Sequence, residues 1–264
     1  MEVKRYHLAK TIKEAYEILL QDDNAQIIAG GAWLKQVNKD ISTIIDLKAL
    51  NLDQIIENDA YYEIGSMVTL RTLEVHEGIG KLLGGIVSES ISHIMGVNFR
   101  NIATIGGSIY GRYAFSDIIT ALLTCKVTLH FHDSGAMDLE AFLLKRGSFK
   151  DILTHIHIYK SKGKSYFKKV SNTRLDFAML NIAVSHWNGK YYIALGSRPG
   201  SAILIHEAMT FLNEQDTLSD KVINESLDLM LANTKFGTNH RASDKYRIEL
   251  AKTYVKRGLN EVKP

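Results

Sequence analysis

The chain has 264 residues, of which 45% are hydrophobic and 23% are charged, a composition typical of soluble globular proteins. Its 32 basic and 29 acidic residues give a net charge of +3, and no run of five Lys or Arg occurs, which excludes the basic surface of a nucleic-acid-binding protein. The single cysteine, Cys125, excludes an internal disulfide and an iron–sulfur cluster held by this chain alone. Since no signal peptide or stretch of membrane-helix length is present, we expect a cytoplasmic protein without a membrane span.

The first half of the chain predicts alternating helices and strands. Thr11 and Glu14 have the spacing of a capping box, and apolar residues follow at the helical period through Leu20. The sequence from Gln26 to Leu47 favours a strand, a glycine turn, a short helix and a second strand in a small parallel sheet. Further strands are predicted at Tyr61–Gly65, Lys126–His132 and Ile152–Ile158. Helices are predicted at Ala32–Val37, Thr69–His76, Leu82–Ile94 and Ser116–Cys125. A C-cap-like turn at Gly96 is predicted to follow the third of these helices.

A polar segment from Lys160 to Ser165 is the best candidate for a linker. After it, three antiparallel strands are predicted, with a hairpin at Asn188-Gly189, and three helices follow. The strands are Tyr166–Val170, Ala178–His186 and Tyr191–Leu195, and the helices are Ile203–Asn213, Ser219–Asn233 and Ser243–Val255. The sequence therefore predicts two α+β domains, 1–160 and 161–264.

Two apolar, strand-like segments each break at a pair of glycines. A strand followed by a glycine turn lets backbone N–H groups approach a phosphate. One such turn more often only ends a strand, but two in one domain indicate a shared diphosphate. The segments are Ile27-Ile28-Ala29-Gly30-Gly31-Ala32-Trp33-Leu34 and Thr104-Ile105-Gly106-Gly107-Ser108.

Other residues whose side chains could bind a metal, react or stack on a ligand have simpler structural interpretations. His130 and His132, and His155 and His157, each share one face of a strand, but without a Cys or carboxylate nearby a solvated strand face is favoured over a zinc site. Cys125 lies in an apolar segment and is interpreted as a buried small hydrophobe. Trp33 and Tyr113 either stack on a ligand or pack against the protein, and packing is the commoner role.

Several of these strings occur together in the order and spacing of one family. The sequence resembles the FAD-binding (medium) subunit of the molybdenum hydroxylases, which include xanthine dehydrogenase, carbon monoxide dehydrogenase and nicotinate dehydrogenase. The resemblance covers nearly the whole chain, and the string from Arg100 to Gly107 is its most specific part. The matching strings are Ala29-Gly30-Gly31-x-x-Leu34, Ile64-Gly65-Ser66-x-x-Thr69, Arg100-Asn101-Ile102-Ala103-Thr104-Ile105-Gly106-Gly107-Ser108, Asp117, Lys168-Lys169-Val170-Ser171 and Arg241-Ala242-Ser243-x-x-Tyr246-Arg247.

The resemblance implies a vanillyl-alcohol-oxidase-like (PCMH-type) FAD domain, followed by a smaller domain with a three-stranded antiparallel sheet and a helical bundle. It implies that both glycine turns, Ile27–Leu34 and Thr104–Ser108, bind the diphosphate of a non-covalent FAD, since neither turn contains a His for covalent attachment. Ile94 matches an apolar residue near the flavin ring, and Asp117 matches an acid that is hydrogen-bonded to the cofactor. Leu153 and Lys168 match later flavin contacts.

The sequence departs from the family pattern in a few places. Ala32 replaces a common Thr or His, which removes a side-chain donor from the first turn, and Ser108 replaces a frequent Asn, although its hydroxyl can still donate to a phosphate or ribityl oxygen. The segment before Asp117 lacks the usual proline. The cysteine-rich insertion that holds an extra cluster in benzoyl-CoA-type relatives is missing.

The resemblance implies an electron-transfer subunit of an oxidoreductase. Molybdopterin and [2Fe–2S] centres are expected only on a large and a small partner subunit, and electrons are expected to pass through FAD to NAD⁺ or another acceptor. No catalytic triad or carboxylate pair stands out, as in flavin enzymes whose cofactor supplies the chemistry. Two alternatives stay open: a flavin-free structural subunit of such a complex and a standalone flavin oxidoreductase.

Overall fold

The computed structural model describes residues 2–34, 40–198 and 200–264. These residues form two compact units, each assembled from three segments of the chain. Of the residues described, those within 1–72, 96–111 and 127–159 form the N-terminal unit, and those within 73–95, 112–126 and 160–264 form the C-terminal unit. The predicted division of the chain near residue 160 stays a prediction. Within the described ranges, no helix combines the length and the apolar character needed to cross a membrane.

A small parallel sheet opens the N-terminal unit, as predicted. Strands β1 (Val3–Leu8), β2 (Gln26–Ile28) and β3 (Ile41–Asp46) are parallel, in the order β1-β3-β2. Helix α1 (Ile12–Gln21) begins at the predicted cap, where the Thr11 hydroxyl accepts a hydrogen bond from the Glu14 N–H at 3.1 Å. The helix predicted from Ala32 to Val37 extends into residues 35–39, which lie outside the described ranges.

A second, antiparallel sheet of five strands completes the N-terminal unit and confirms the strands predicted there. Its order is β4-β5-β8-β6-β7. Short helices accompany it, and α2 crosses the sequence boundary between the units. The elements are β4 (Ile55–Glu57), β5 (Tyr61–Gly65), α2 (Leu70–Val75), α5 (Val97–Arg100), α6 (Ile105–Tyr110), β6 (Val127–Phe131), β7 (Gly135–Asp138), α8 (Leu139–Leu144) and β8 (Leu153–Tyr159).

The C-terminal unit is built on an antiparallel sheet with helices on both faces. Its order is β12-β11-β10-β9, so a two-residue strand adds to the three predicted. Alternate β10 side chains such as Ile182 and Val184 join the core with the last three helices, while Asn181 and Ser185 contact α7 and the residues that follow it. The elements are α3 (Glu77–Lys81), α4 (Ile86–Ser92), α7 (Asp117–Leu122), β9 (Gly163–Val170), β10 (Leu180–Trp187), β11 (Lys190–Gly196), β12 (Ile203–Leu204), α9 (His206–Asn213), α10 (Asp220–Asn233) and α11 (Asp244–Glu261).

Three local predictions were wrong. The helix predicted from Leu82 begins only at Ile86, because residues 83–85 have φ of 46°, 67° and 92°, outside the helical region. Gly96 does not end that helix: Met95 takes the positive φ of 44°, and Gly96 lies at the N-cap of α5. The linker is shorter than predicted, since β9 already begins at Gly163.

Candidate cofactor-binding site

The first glycine turn follows directly from β2. Gly31 has a φ of +66°, in the left-handed region that glycine adopts at low cost. Gly30 is required for a different reason, since a Cβ at this position would lie 1.4 Å from the carbonyl oxygen of Ile102. The first turn therefore packs directly against the backbone segment that leads into the second turn.

The first turn also presents backbone donors. Within the part of the chain that the structure describes, the N–H groups of Gly30, Gly31 and Ala32 have no hydrogen-bond acceptor. Gly30 and Gly31 are half-buried. Because backbone N–H groups are rarely left without an acceptor, three successive donors at a glycine turn are suited to an anion such as a diphosphate.

The second glycine turn has a different hydrogen-bond pattern from the one expected. The Ile105 and Gly106 N–H groups donate to the carbonyls of Val68 and Ser66 at 3.0 and 2.9 Å, and the Gly107 N–H donates to the Thr104 hydroxyl at 3.1 Å. The Ser108 hydroxyl, expected to reach a ligand oxygen, donates to the Thr104 carbonyl at 2.8 Å. Because these donors already form hydrogen bonds within the protein, the second turn contributes mainly the shape of its backbone to a binding site.

The two turns adjoin each other. A Cβ built on Gly107 would lie 3.9 Å from the Cβ of Ala29, and Gly107 is exposed. The Thr104 hydroxyl accepts from Gly107 and has no acceptor for its own proton among the described residues. Residues 29–32 and 104–107 therefore form one surface, which we call the glycine cradle. Beside it, Trp33 contacts the Phe99 ring edge-on, with 5.4 Å between ring centroids.

The other predicted site residues lie outside the glycine cradle. Leu153 begins β8 in the N-terminal unit, and its side chain is buried in the core. Ile94, Asp117 and Lys168 belong to the C-terminal unit. Ile94 is half-buried just beyond α4, and its N–H donates to the Ile91 carbonyl at 2.8 Å.

Asp117 is a buried acid at the first position of α7. Its carboxylate accepts a hydrogen bond from the Asn181 side chain at 2.7 Å and lies 3.2 Å from the Lys169 ammonium. Burial raises the pKa of Asp117 to about 6, while Lys169 and Asn181 act in the opposite direction. Each carboxylate oxygen has two lone pairs, so both oxygens can accept a further hydrogen bond.

The two adjacent lysines of β9 point in opposite directions, as successive residues of a strand do. The Lys168 ammonium lies 5.5 Å from the centroid of the Tyr254 ring on α11. The Lys169 side chain is 4% exposed, and its ammonium pairs with Asp117 and donates to the His93 carbonyl at 2.9 Å. Sequence reasoning missed Lys169; the strand alternation predicted here is the signal that separates it from Lys168.

The paired histidines form a hydrogen-bonded chain on the five-stranded sheet. His130 and His157 are joined at 3.0 Å between their ring nitrogens, and His157 meets the Glu63 carboxylate at 2.9 Å. Glu63 on β5 supplies the carboxylate partner that the sequence did not indicate near these histidines. Within the described residues, no group of three or more His, Cys, Asp or Glu is arranged to hold a metal ion.

Cys125 is buried, as predicted, and burial raises the pKa of its thiol to about 12. A thiol held in its neutral form is a poor nucleophile. The residue therefore belongs to the core.

Comparisons with known proteins cover almost the whole chain. Residues 1–160 match the family model described as the FAD binding domain in molybdopterin dehydrogenase, and residues 165–262 match the CO dehydrogenase flavoprotein C-terminal domain. The chain is 25% identical to a xanthine dehydrogenase FAD-binding subunit of Escherichia coli O157:H7, with 97% of this chain and 94% of the relative covered. It is 24% identical to the nicotine 6-hydroxylase medium subunit of Paenarthrobacter nicotinovorans, with coverage of 97% and 96%.

The fold is also similar to that of solved structures. A chain of carbon monoxide dehydrogenase from Hydrogenophaga pseudoflava superposes with a TM-score of 0.87 at 20% identity, covering 98% of this chain and 96% of that chain. The α+β architecture expected from the sequence is confirmed.

Proposed function

Because the chain belongs to the family of FAD-binding subunits of the molybdenum hydroxylases, we propose that it relays electrons through a non-covalent FAD to NAD⁺ or a similar acceptor. It is the flavin-binding subunit of an oxidoreductase. When bound, FAD accepts electrons singly and releases them in pairs. The protein's part is to bind and orient the cofactor.

The glycine cradle carries the proposal, since its residues fit a diphosphate. Gly30, Gly31 and Ala32 supply three backbone N–H groups without acceptors, and Thr104 supplies a hydroxyl proton. The remaining residues of Ile27–Leu34 and Thr104–Ser108 stay proposed cofactor contacts on the strength of the family resemblance, as do Ile94, Asp117, Leu153 and Lys168.

Partner subunits follow from the same proposal. The chain has one cysteine, and that residue is buried, whereas [2Fe–2S] clusters need several cysteine ligands. The relatives are named FAD-binding and medium subunits. We therefore assign the [2Fe–2S] centres to a small partner subunit and molybdopterin to a large one.

The flavin content of variants at the first turn tests the proposal. Gly31 and Gly135 have nearly the same backbone φ, +66° and +70°, and both lie in the N-terminal unit. Alanine at either position costs about 1 kcal/mol in backbone strain. Gly31→Ala is expected to lose most of its FAD, measured as flavin absorbance per chain after gel filtration, because the added Cβ disfavours the φ of +66° that presents the N–H of this residue, a proposed phosphate donor. Gly135→Ala, at the first residue of β7, is expected to keep it.

A colourless wild-type chain that binds no added FAD would support the flavin-free structural subunit instead. Equal flavin content in the two glycine variants would refute the role of the first turn. Replacing Gly107 with Val tests the second turn, since a branched side chain there would project into the exposed side of the glycine cradle. NADH turnover by the chain without partners would favour the standalone enzyme.

A further inference from the structure

We propose that Lys169 is a positioning residue of the flavin site, whose ammonium group holds the Asp117 carboxylate in the orientation in which it accepts hydrogen bonds from cofactor hydroxyls. This inference rests on the proposed function. It differs from the resemblance, which points to Lys168.

The geometry around Asp117 supports this role. The Lys169 ammonium lies 3.2 Å from one carboxylate oxygen of Asp117, and the Asn181 amide donates to the other at 2.7 Å. The same ammonium donates to the His93 carbonyl at 2.9 Å, which anchors it to the residue after α4. Lys169 on β9 and Asn181 on β10 therefore hold the carboxylate from two strands, while His93 anchors the Lys169 ammonium.

Burial makes the ion pair significant. The side chains of Lys169 and Asp117 are 4% and 6% exposed, and a charge this deeply buried is stable only when it is paired and hydrogen-bonded. Asn181 is fully buried, and its carbonyl oxygen has no hydrogen-bond donor in the described part of the chain. Asn181 alone cannot compensate the charge of Asp117, because its amide is neutral. Lys169 supplies the only positive charge that faces the carboxylate among the described residues.

The other charged groups nearby act on His93 or lie on the opposite side of the strand. Lys168 and Arg174 act, with Lys169, on the His93 ring, whose pKa is lowered mainly by burial. Lys168 lies over Tyr254 and interacts with Glu89. Lys164 provides a matched control, since it is an exposed lysine of the same strand whose ammonium donates to the Lys263 carbonyl and not to Asp117.

The pH dependence of FAD affinity tests the inference on the full-length chain. Burial has raised the pKa of Asp117 to about 6 against the opposing effect of Lys169, so wild-type affinity should be level above pH 7 and fall below pH 6. In Lys169→Met the carboxyl loses its counter-charge, so its pKa rises further and the fall begins at higher pH. At pH 7 we expect affinity to drop about tenfold or more and to recover in part toward pH 9, measured by quenching of FAD fluorescence in titrations of the apoprotein.

Lys164→Met is expected to keep the wild-type pH profile. A Lys169→Met profile parallel to the wild type would overturn the inference, as would a displaced profile in Lys164→Met alone. If Lys169→Met fails to fold, Lys169→Gln keeps a hydrogen-bond donor without the charge, and the same displacement is expected. A wild-type chain that binds no FAD at any pH would instead refute the proposed function.

Discussion

Arg247 shows how much a single buried side chain can organise. It is fully buried on α11, and its guanidinium donates to the carbonyls of Met179, Gly237 and Ala242 and to the Asn239 side chain. Arginine presents five N–H donors in a fixed planar arrangement, which suits a loop whose carbonyls converge. The loop that leads into α11 is thereby attached to both the helix and the end of the sheet.

Replacing Arg247 by Met should destabilise the protein strongly, because the Met179 and Gly237 carbonyl oxygens lose their donor and the Ala242 carbonyl keeps only the Asn239 N–H. Each orphaned acceptor costs about 1–3 kcal/mol, and we expect a loss of about 3–5 kcal/mol in the free energy of unfolding. Urea unfolding followed by circular dichroism measures this loss. Lys245→Met, on the exposed side of the same helix, is the control and should change stability little. A similarly small change in Arg247→Met would contradict the role given to the guanidinium.

Residue-scale predictions from the sequence succeeded where the cause is local. The Thr11 cap depends on a residue three positions away and was confirmed, although the Glu14 carboxylate accepts from the Lys10 N–H rather than from the cap itself. The cap at Gly96 was predicted from residue type and was wrong, since Met95 adopts the left-handed conformation instead. Lys169 was overlooked because its partners Asp117 and Asn181 are remote in the chain.

At the scale of elements, the five-stranded sheet contains a pH-sensitive feature. His130 on β6 meets His157 on β8, with His155 and the Glu63 carboxylate also facing it. Burial lowers the pKa of His130 below its usual 6.5, as do the two neighbouring histidines, while Glu63 acts in the opposite direction. The folded state therefore binds fewer protons than the unfolded state just below pH 6.5, and its stability falls as the pH decreases through this range.

We expect His130→Gln to reduce this pH dependence, because the variant cannot take up the proton. The urea midpoints of wild type and variant at pH 7.5 and pH 5.5 provide the measurement, with the wild type losing more stability on acidification. His240→Gln changes an exposed histidine and should leave the wild-type dependence intact. If the wild type and His130→Gln lost equal stability on acidification, His130 would not be the source of the pH dependence.

Elements with a strong local pattern were predicted well. The Asn188-Gly189 hairpin was confirmed, with φ of 48° and 70° at the two turn residues, as a type I′ turn requires. The two-residue strand β12 is too short to show the alternation by which strands are predicted, and it is defined by its pairing with β11. The helix predicted from Leu82 failed because glycines 84 and 85 allow a turn that tertiary packing selects.

At the scale of the whole molecule, the candidate site depends on contacts between distant segments. The glycine cradle was predicted as two turns sharing a ligand, but their direct contact through Gly30 and the Ile102 carbonyl has no signature in the sequence. The internal use of the second turn's donors could not be predicted either, because the acceptors belong to residues 66 and 68. Composition and motif order indicate the class of protein, whereas the packing of remote segments determines which donors are free.

The same dependence on remote segments predicts how the chain responds to a cut near residue 160. The C-terminal unit includes residues 73–95 and 112–126, which contact its sheet through hydrogen bonds. Ser165 donates to the Leu83 carbonyl, and the Trp187 indole and the Ser185 hydroxyl donate to the Thr124 carbonyl at 2.9 and 2.7 Å. A piece that begins at residue 161 lacks these segments and exposes the face of β10 that they cover.

We therefore expect limited tryptic cleavage after Lys160 or Lys162 to leave the two pieces associated on gel filtration under native conditions. The fragment 161–264 produced alone should be markedly less stable than the intact chain, and the emission of Trp187, its only tryptophan, should shift to the red because the ring is buried in the whole protein. Fluorescence and urea unfolding of the fragment and the nicked chain measure this. A fragment with buried tryptophan emission and cooperative unfolding at the midpoint of the intact chain would show that residues 161–264 fold independently of the earlier segments.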